Sequence, residues 1–146
     1  MFAKDTLIHI WSGLDIPVQD IEIGQILIGD KHILDSYENR EVLYLYGCNT
    51  NLYRFYLWSR YTVDLTEDHI LCLMDNSYAI HEIPVREYLT YDQDTRNRYA
   101  MYSIDSSGIS INCILKVESL GIQECYGFTL DGNHRFLNWD RIVLHD

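Results

Sequence analysis

Tyr126-Gly-Phe-Thr-Leu-Asp-Gly-Asn-His-Arg-Phe-Leu-Asn-Trp-Asp-Arg-Ile-Val-Leu-His-Asp146 is the stretch on which the reading of this chain turns. It parses as a strand, a tight turn at Asp131-Gly132-Asn133, a second strand, and the apolar run Ile142-Val143-Leu144. Asp-Gly between apolar segments is a hairpin signal, because its residues tolerate the backbone angles that a tight turn demands. The apolar run delivers a histidine and a carboxylate, His145 and Asp146, at its far end. Chain ends usually fray, so two chemically loaded residues on the end of an apolar strand call for an explanation.

Outward from this stretch, strand signals dominate. Ile26-Leu27-Ile28, Val42 to Tyr46, Leu52 to Val63 and Ile70 to Met74 are short apolar or aromatic runs. Between them lie turn signals at Gly29-Asp30, Gly47-Cys48-Asn49 and Asp75-Asn76-Ser77. Ile109, Ile111, Cys113, Leu115 and Val117 alternate with mainly polar residues, which predicts a half-buried strand after a turn at Ser106-Ser107-Gly108. Helical signal is weak: Pro84 to Leu89 reads as one short helix with Pro84 near its first turn, and Asp92 to Met101 as a surface loop or brief helix. Many short strands with few helices predict a compact all-β fold.

At 146 residues the chain is the size of one domain. A chain of this length buries roughly 70% of its unfolded surface, enough for a core. Hydrophobic residues at 47% and charged residues at 23% place it among globular and not disordered sequences. The net charge of −11 repels phosphate backbones, so nucleic acid is not an expected partner. No apolar stretch is long enough to span a membrane, and residues 1–11 lack the pattern of a signal peptide. The cysteines, Cys48, Cys72, Cys113 and Cys125, show no pair at zinc-knuckle spacing, and without a secretory signal disulfides are not expected. Cys72 and Cys113 lie in apolar runs and read as buried thiols. No metal or cofactor is called for.

Three constellations could carry chemistry. Thr66-Glu67-Asp68-His69, at the mouth of the apolar run Ile70-Leu71-Cys72, sets a hydroxyl and an imidazole close together across a turn. An imidazole exchanges protons near neutral pH; taken alone, the tetrad fits an ordinary cap beside a surface histidine equally well. The second is the N-terminal stretch: Phe2-Ala3-Lys4-Asp5-Thr6-Leu7-Ile8, then Ser12-Gly13, then Ile21 to Asp30 with Gly24 and Gly29. The third is His134 with His145 and Asp146.

Taken together and in this order, the three resemble the motifs of the inteins, the self-excising elements of protein splicing. The first stretch has the cadence of the intein N-terminal motif, Thr66 and His69 match the second motif, and the tail resembles the C-terminal one. Glu82 to Leu89 looks like the segment that follows the second motif. The resemblance is collinear over nearly the whole chain. It implies the Hint fold, shared with the hedgehog autoprocessing domain: an all-β horseshoe of two pseudo-symmetric halves that brings both chain ends to one site. It implies a single Hint domain over 1–146. Only the short segment 90–108, expected as a loop, stands where larger relatives insert a homing endonuclease, so the chain resembles a mini-intein.

The resemblance also assigns roles. Position 1 normally holds a Cys whose thiol attacks the preceding carbonyl to give a thioester; Met1, a thioether, has no proton to lose and cannot form that ester. Met1 also reads as a start codon with no flank before it. Thr66 and His69 would act on the first junction, Thr66 polarising the carbonyl and His69 protonating the departing nitrogen. His134 would support the second junction, and His145 would hydrogen-bond the carbonyl of residue 146. The last residue is usually an Asn whose amide cyclises; Asp146 offers a carboxylate instead. Gly127, after Tyr126, stands where many members carry a catalytic Asp. Met1 and Asp146 together imply that both ends are disabled, by deliberate alteration or by natural decay.

The resulting expectation is an autocatalytic, single-turnover splicing element acting on its flanking segments (exteins) in cis, monomeric and intracellular, following its host protein to cytoplasm or nucleus. A cleavage-only autoprocessing domain of the hedgehog or bacterial intein-like type, or a non-catalytic β-rich binding module, are the other readings.

Overall fold

The structure, a computed structural model, describes residues 1–30 and 37–146. In chain order it contains β1 (Phe2–Ala3), β2 (Leu7–His9), β3 (Asp15–Pro17), a 3-10 turn (Val18–Asp20), β4 (Ile26–Asp30), β5 (Tyr37–Leu57), β6 (Thr62–Thr66), β7 (Ile70–Met74), β8 (Ile80–Pro84), α1 (Val85–Tyr88), α2 (Gln93–Arg96), β9 (Met101–Asp105), β10 (Gly108–Asn112), β11 (Ile114–Leu130), β12 (Arg135–Leu137) and β13 (Val143–His145). Strand makes up 61% and helix 8%, so the fold is all-β.

Two long strands organise the molecule. β5 and β11 pair antiparallel from Leu57 opposite Ile114 to Val42 opposite Leu130, with register shifts at three points. Such shifts bend and twist a ribbon, which lets the far half of β11 reach β1. β1 is wedged between β11 and β6, with Phe2 opposite both Tyr126 and Leu65. β6 pairs in turn with β5, and β4 lies on the outer side of β5.

Aromatic packing brings the two ends of the chain together. Phe2, Phe128 and Phe136 are fully buried. Phe2 lies 5.8 Å from Phe128, stacked, and 5.6 Å from Phe136, edge-on. Each ring is worth roughly 1.5–3 kcal/mol in transfer from water. Phe136 is opposite Leu144 in the β12–β13 hairpin. The core that receives β1 therefore also receives β13.

The turn at Asp131-Gly132-Asn133, the turn at Asp75-Asn76-Ser77 and the short helix after Pro84 form as expected, but the strand after the first of these, β12, pairs with β13 and not back onto β11. Other expectations fail, each for a reason visible in the packing. Gly29-Asp30 is not a turn but the end of β4, where buried Asp30 accepts hydrogen bonds from Asn133 (2.9 Å) and Arg135 (3.3 Å). Gly47-Cys48-Asn49 is not a turn either: β5 runs straight through it, and a Cβ on Gly47 would sit 3.0 Å from the carbonyl oxygen of Cys125. That glycine answers a close approach of strands. The alternation at 109–117 is not one half-buried strand. It divides at Cys113 into β10 and β11, with Ile109, Ile111, Cys113 and Leu115 exposed. Cys72 is buried as expected, and Cys113 is not. The segment 90–108 is more than a loop, since it holds α2 and β9. No helix among the described residues is long and apolar enough to cross a membrane.

Candidate functional site

Thr66 ends β6 and His69 precedes β7, so the turn between these strands presents both side chains to β1. The backbone fixes the arrangement. Thr66 N–H donates to the carbonyl of Met1 (3.2 Å), and His69 N–H donates to the carbonyl of Thr66 (3.1 Å). The Met1 nitrogen then lies 2.9 Å from Thr66 Oγ1, to which it donates, and 3.3 Å from His69 Nδ1. The Thr66 hydroxyl in turn donates a hydrogen bond to Asp68 Oδ1 at 2.6 Å. Thr66 and His69 are both buried. Burial, then the charge of the terminal amine, then His145, hold the His69 imidazole well below its usual pKa, so it is neutral. Its Nε2 is buried with no hydrogen-bond partner among the described residues. Burial likewise pulls the Met1 amine below its usual range, against the charges of Asp68 and other neighbours.

The other end is organised around Asp146. Its Oδ2 accepts from the Leu130 backbone N–H (2.7 Å) and lies 2.8 Å from His134 Nδ1. The Asp146 N–H donates to the His134 carbonyl at 2.8 Å. His145 Nδ1 lies 3.2 Å from both the Asp146 backbone oxygen and Asp146 Oδ1. The His134 and His145 rings stack at 5.8 Å. His134 sits at φ 65°, a left-handed backbone that a non-glycine residue adopts only where its surroundings enforce it. Burial raises the Asp146 pKa, but hydrogen bonds from His145, Leu130 and His134 outweigh it, and the carboxyl titrates below its usual range.

The two clusters adjoin. Phe2 lies 5.0 Å from His69 and 5.6 Å from Phe136, and β13 packs against β7, the strand that follows His69. Met1, Thr66, His69, His134, His145 and Asp146 are thus gathered at one place. Three neighbours carry no label in the sequence. Asp68 accepts the hydrogen bond of the Thr66 hydroxyl, and Glu82 on β8 lies 3.2 Å from His145 Nε2. Tyr46 is opposite Gly127, where its ring fills the space a side chain at 127 would take. Asp68 could have been found from its place inside the Thr66–His69 tetrad. Tyr46 and Glu82 depend on register and on packing between distant strands, and no local pattern marks them.

A neutral imidazole and a hydroxyl–carboxylate pair on one backbone nitrogen, beside a histidine aimed at a second backbone carbonyl, can shuttle protons for acyl transfer at two peptide bonds. Among the described residues no cluster of metal-ligating side chains is present.

No family model and no curated sequence matches the chain. Solved structures do. A DnaB intein from Synechocystis sp. PCC 6803 superposes with a TM-score of 0.77 at 18% identity, over 99% of this chain and 96% of that one. The bacterial intein-like domain from Clostridium thermocellum gives 0.71 at 16% identity, over 99% and 97%. The DnaX mini intein from Spirulina platensis gives 0.71 at 15%, over 99% and 98%. The chain therefore has the all-β Hint fold of the inteins, at mini-intein length.

Proposed function

We propose that residues 1–146 form a single protein-splicing domain that acts in cis on flanking segments, as a monomer and without nucleic acid. The observation that carries this reading is the packing of β1 and the β12–β13 hairpin into one core, with Phe2 5.0 Å from His69 and 5.6 Å from Phe136, because joining two flanks requires both junctions within reach of each other.

In a chain that continues upstream of Met1, the nitrogen now bonded to Thr66 and His69 becomes the nitrogen of the first junction. The neutral His69 imidazole can take the proton of an attacking thiol and return it to that nitrogen as it leaves, without resting as a cation in a buried site. Thr66, tied to Asp68, orients the amide. In a chain that continues past Asp146, His145 Nδ1 faces the carbonyl of the last junction. Both reacting positions carry the wrong chemistry. Met1 has no ionisable thiol, and the Asp146 carboxylate is committed to His134, Leu130 and His145.

Placed between two reporter proteins, the chain as it stands should remain an intact precursor. Met1→Cys should allow cleavage at the first junction by added thiol, and Asp146→Asn should allow cleavage at the last. The double variant, with Cys, Ser or Thr opening the downstream flank, should ligate the reporters, as read on a denaturing gel. Release of both flanks without ligation would point to a cleavage-only autoprocessing domain. A folded double variant that stays intact sinks the splicing reading.

A further inference from the structure

His145 uses its Nδ1 face on residue 146; its Nε2 face meets a group that the reaction above does not employ. Nε2 lies 3.2 Å from Glu82 Oε2. The other oxygen of Glu82 is 3.3 Å from Arg135 Nη2, and Arg135 Nη1 is 3.3 Å from Oδ2 of fully buried Asp30. The Glu82 carboxylate is therefore braced from behind by a chain of charges anchored in the core. We propose that Glu82 is a positioning residue for the last junction, fixing the His145 ring so that an Nδ1–H points at the carbonyl oxygen of residue 146. The functional part of this inference rests on the splicing reading; the hold of Glu82 on the ring does not.

The hydrogen-bond inventory carries the argument. At Nδ1 the ring meets only acceptors, the Asp146 backbone oxygen and Oδ1. At Nε2 it meets an acceptor again, Glu82. A neutral imidazole has one N–H and can satisfy one side; the imidazolium donates at both. The surroundings agree. Burial pulls the His145 pKa down, but the hydrogen bonds and charge of Asp146, and then the charge of Glu82, outweigh it and leave the net shift upward. Among the remaining groups, His134 stacks on the ring, neutral His69 lies on the β7 side, and buried Cys72 of β7 and Tyr102 of β9 are both pushed up and uncharged. Arg135 is the cation in contact with Glu82, and its charge is shared between Glu82 and Asp30; the buried Arg40 guanidinium reaches the Asp30 backbone oxygen at 2.8 Å.

An N–H aimed at the carbonyl oxygen draws density from the carbon that must be attacked. With Asn at 146, the side-chain amide nitrogen bonds to that carbon and gives up one proton. The peptide bond to the following residue breaks, and its nitrogen leaves with one proton, closing a succinimide. His145 keeps the carbonyl polarised only while Nδ1 is protonated, and Glu82 extends that state to higher pH.

The test compares Glu82 with its uncharged isostere. In the chain as it stands, NMR titration of the His145 ring should show a lower midpoint in Glu82→Gln than in the parent. In Asp146→Asn chains with a downstream reporter, Glu82→Gln should cleave at the parent rate at acid pH. On the alkaline side it should lose about tenfold for each unit the midpoint moves. An unchanged midpoint, or a loss of rate equal at every pH, overturns the proposal, since mere bracing of β8 against β12 would act equally at all pH. A midpoint that moves in a chain that never cleaves upholds the grip of Glu82 on the ring and takes down the splicing reading instead.

Discussion

Gly127→Ala tests how position 127 is filled. Gly127 faces Tyr46 across the β5–β11 ribbon, and its φ lies outside the left-handed region, so the backbone itself accepts alanine. Space does not. A Cβ there would lie 2.5 Å from Tyr46 Cε2, 2.9 Å from Cζ and 2.8 Å from Met1 Cγ. Carbon atoms in contact prefer about 3.5–4.0 Å, so the Tyr46 ring must move by about 1 Å. That movement also breaks the bond from its hydroxyl to the Phe128 carbonyl, now 3.2 Å. Overpacking costs about 1–3 kcal/mol and the lost hydrogen bond about 1 kcal/mol. Restricting the unfolded chain gives back about 0.4–1 kcal/mol. The net loss comes to about 2 kcal/mol, which in urea lowers the unfolding midpoint by about 1 M for a slope near 2 kcal/mol/M. In a Tyr46→Ala background the same change should cost little, because the main obstacle is gone and only the flexible end of Met1 must give. Equal costs with and without the tyrosine ring would refute the claim that Tyr46 occupies this space.

Two further outcomes follow from the site. In a Met1→Cys chain with an upstream reporter, His69→Ala should slow thiol-dependent cleavage by about 10²-fold or more, the usual worth of acid–base help; an unchanged rate would remove His69 from the first step. Asp146 titrates below its usual range when folded, so its stabilisation is complete above the ordinary carboxylate range and fades as pH falls through the lowered value. Melting curves of the parent and Asp146→Asn should therefore hold a constant gap at neutral pH and draw together only as the pH falls below that of an ordinary carboxylate, about 3.9, toward the lowered folded value; a gap unchanged through that acid range would show that the carboxylate charge contributes nothing.

What the sequence could disclose depended on whether the information was local. Thr66 with His69, and His145 with Asp146, are close in the chain, so a short window of sequence is enough to mark each pair. The structure sets Thr66 and His69 at the Met1 nitrogen and His145 against Asp146. The turn at Asp131-Gly132-Asn133 is local in the same sense, and so is the short helix after Pro84. Gly47 and Gly127 are the opposite case. Each looks like punctuation or a missing functional group when read along the chain. Each is a glycine because of what lies across the ribbon: the Cys125 carbonyl in one case, the Tyr46 ring and Met1 in the other. The isoleucines at 109 and 111 alternate like a buried face but stay exposed, because periodicity tells which residues share a side and not whether anything covers it. Glu82 joins both lessons. It sits in a segment singled out by order alone, and its contact with His145 exists only because β8 and β13 are brought side by side against β7. Pairs close in sequence thus supply the groups to which the proposal gives the chemistry, while the neighbours that contact them come from strand register, which a single chain of letters does not encode locally.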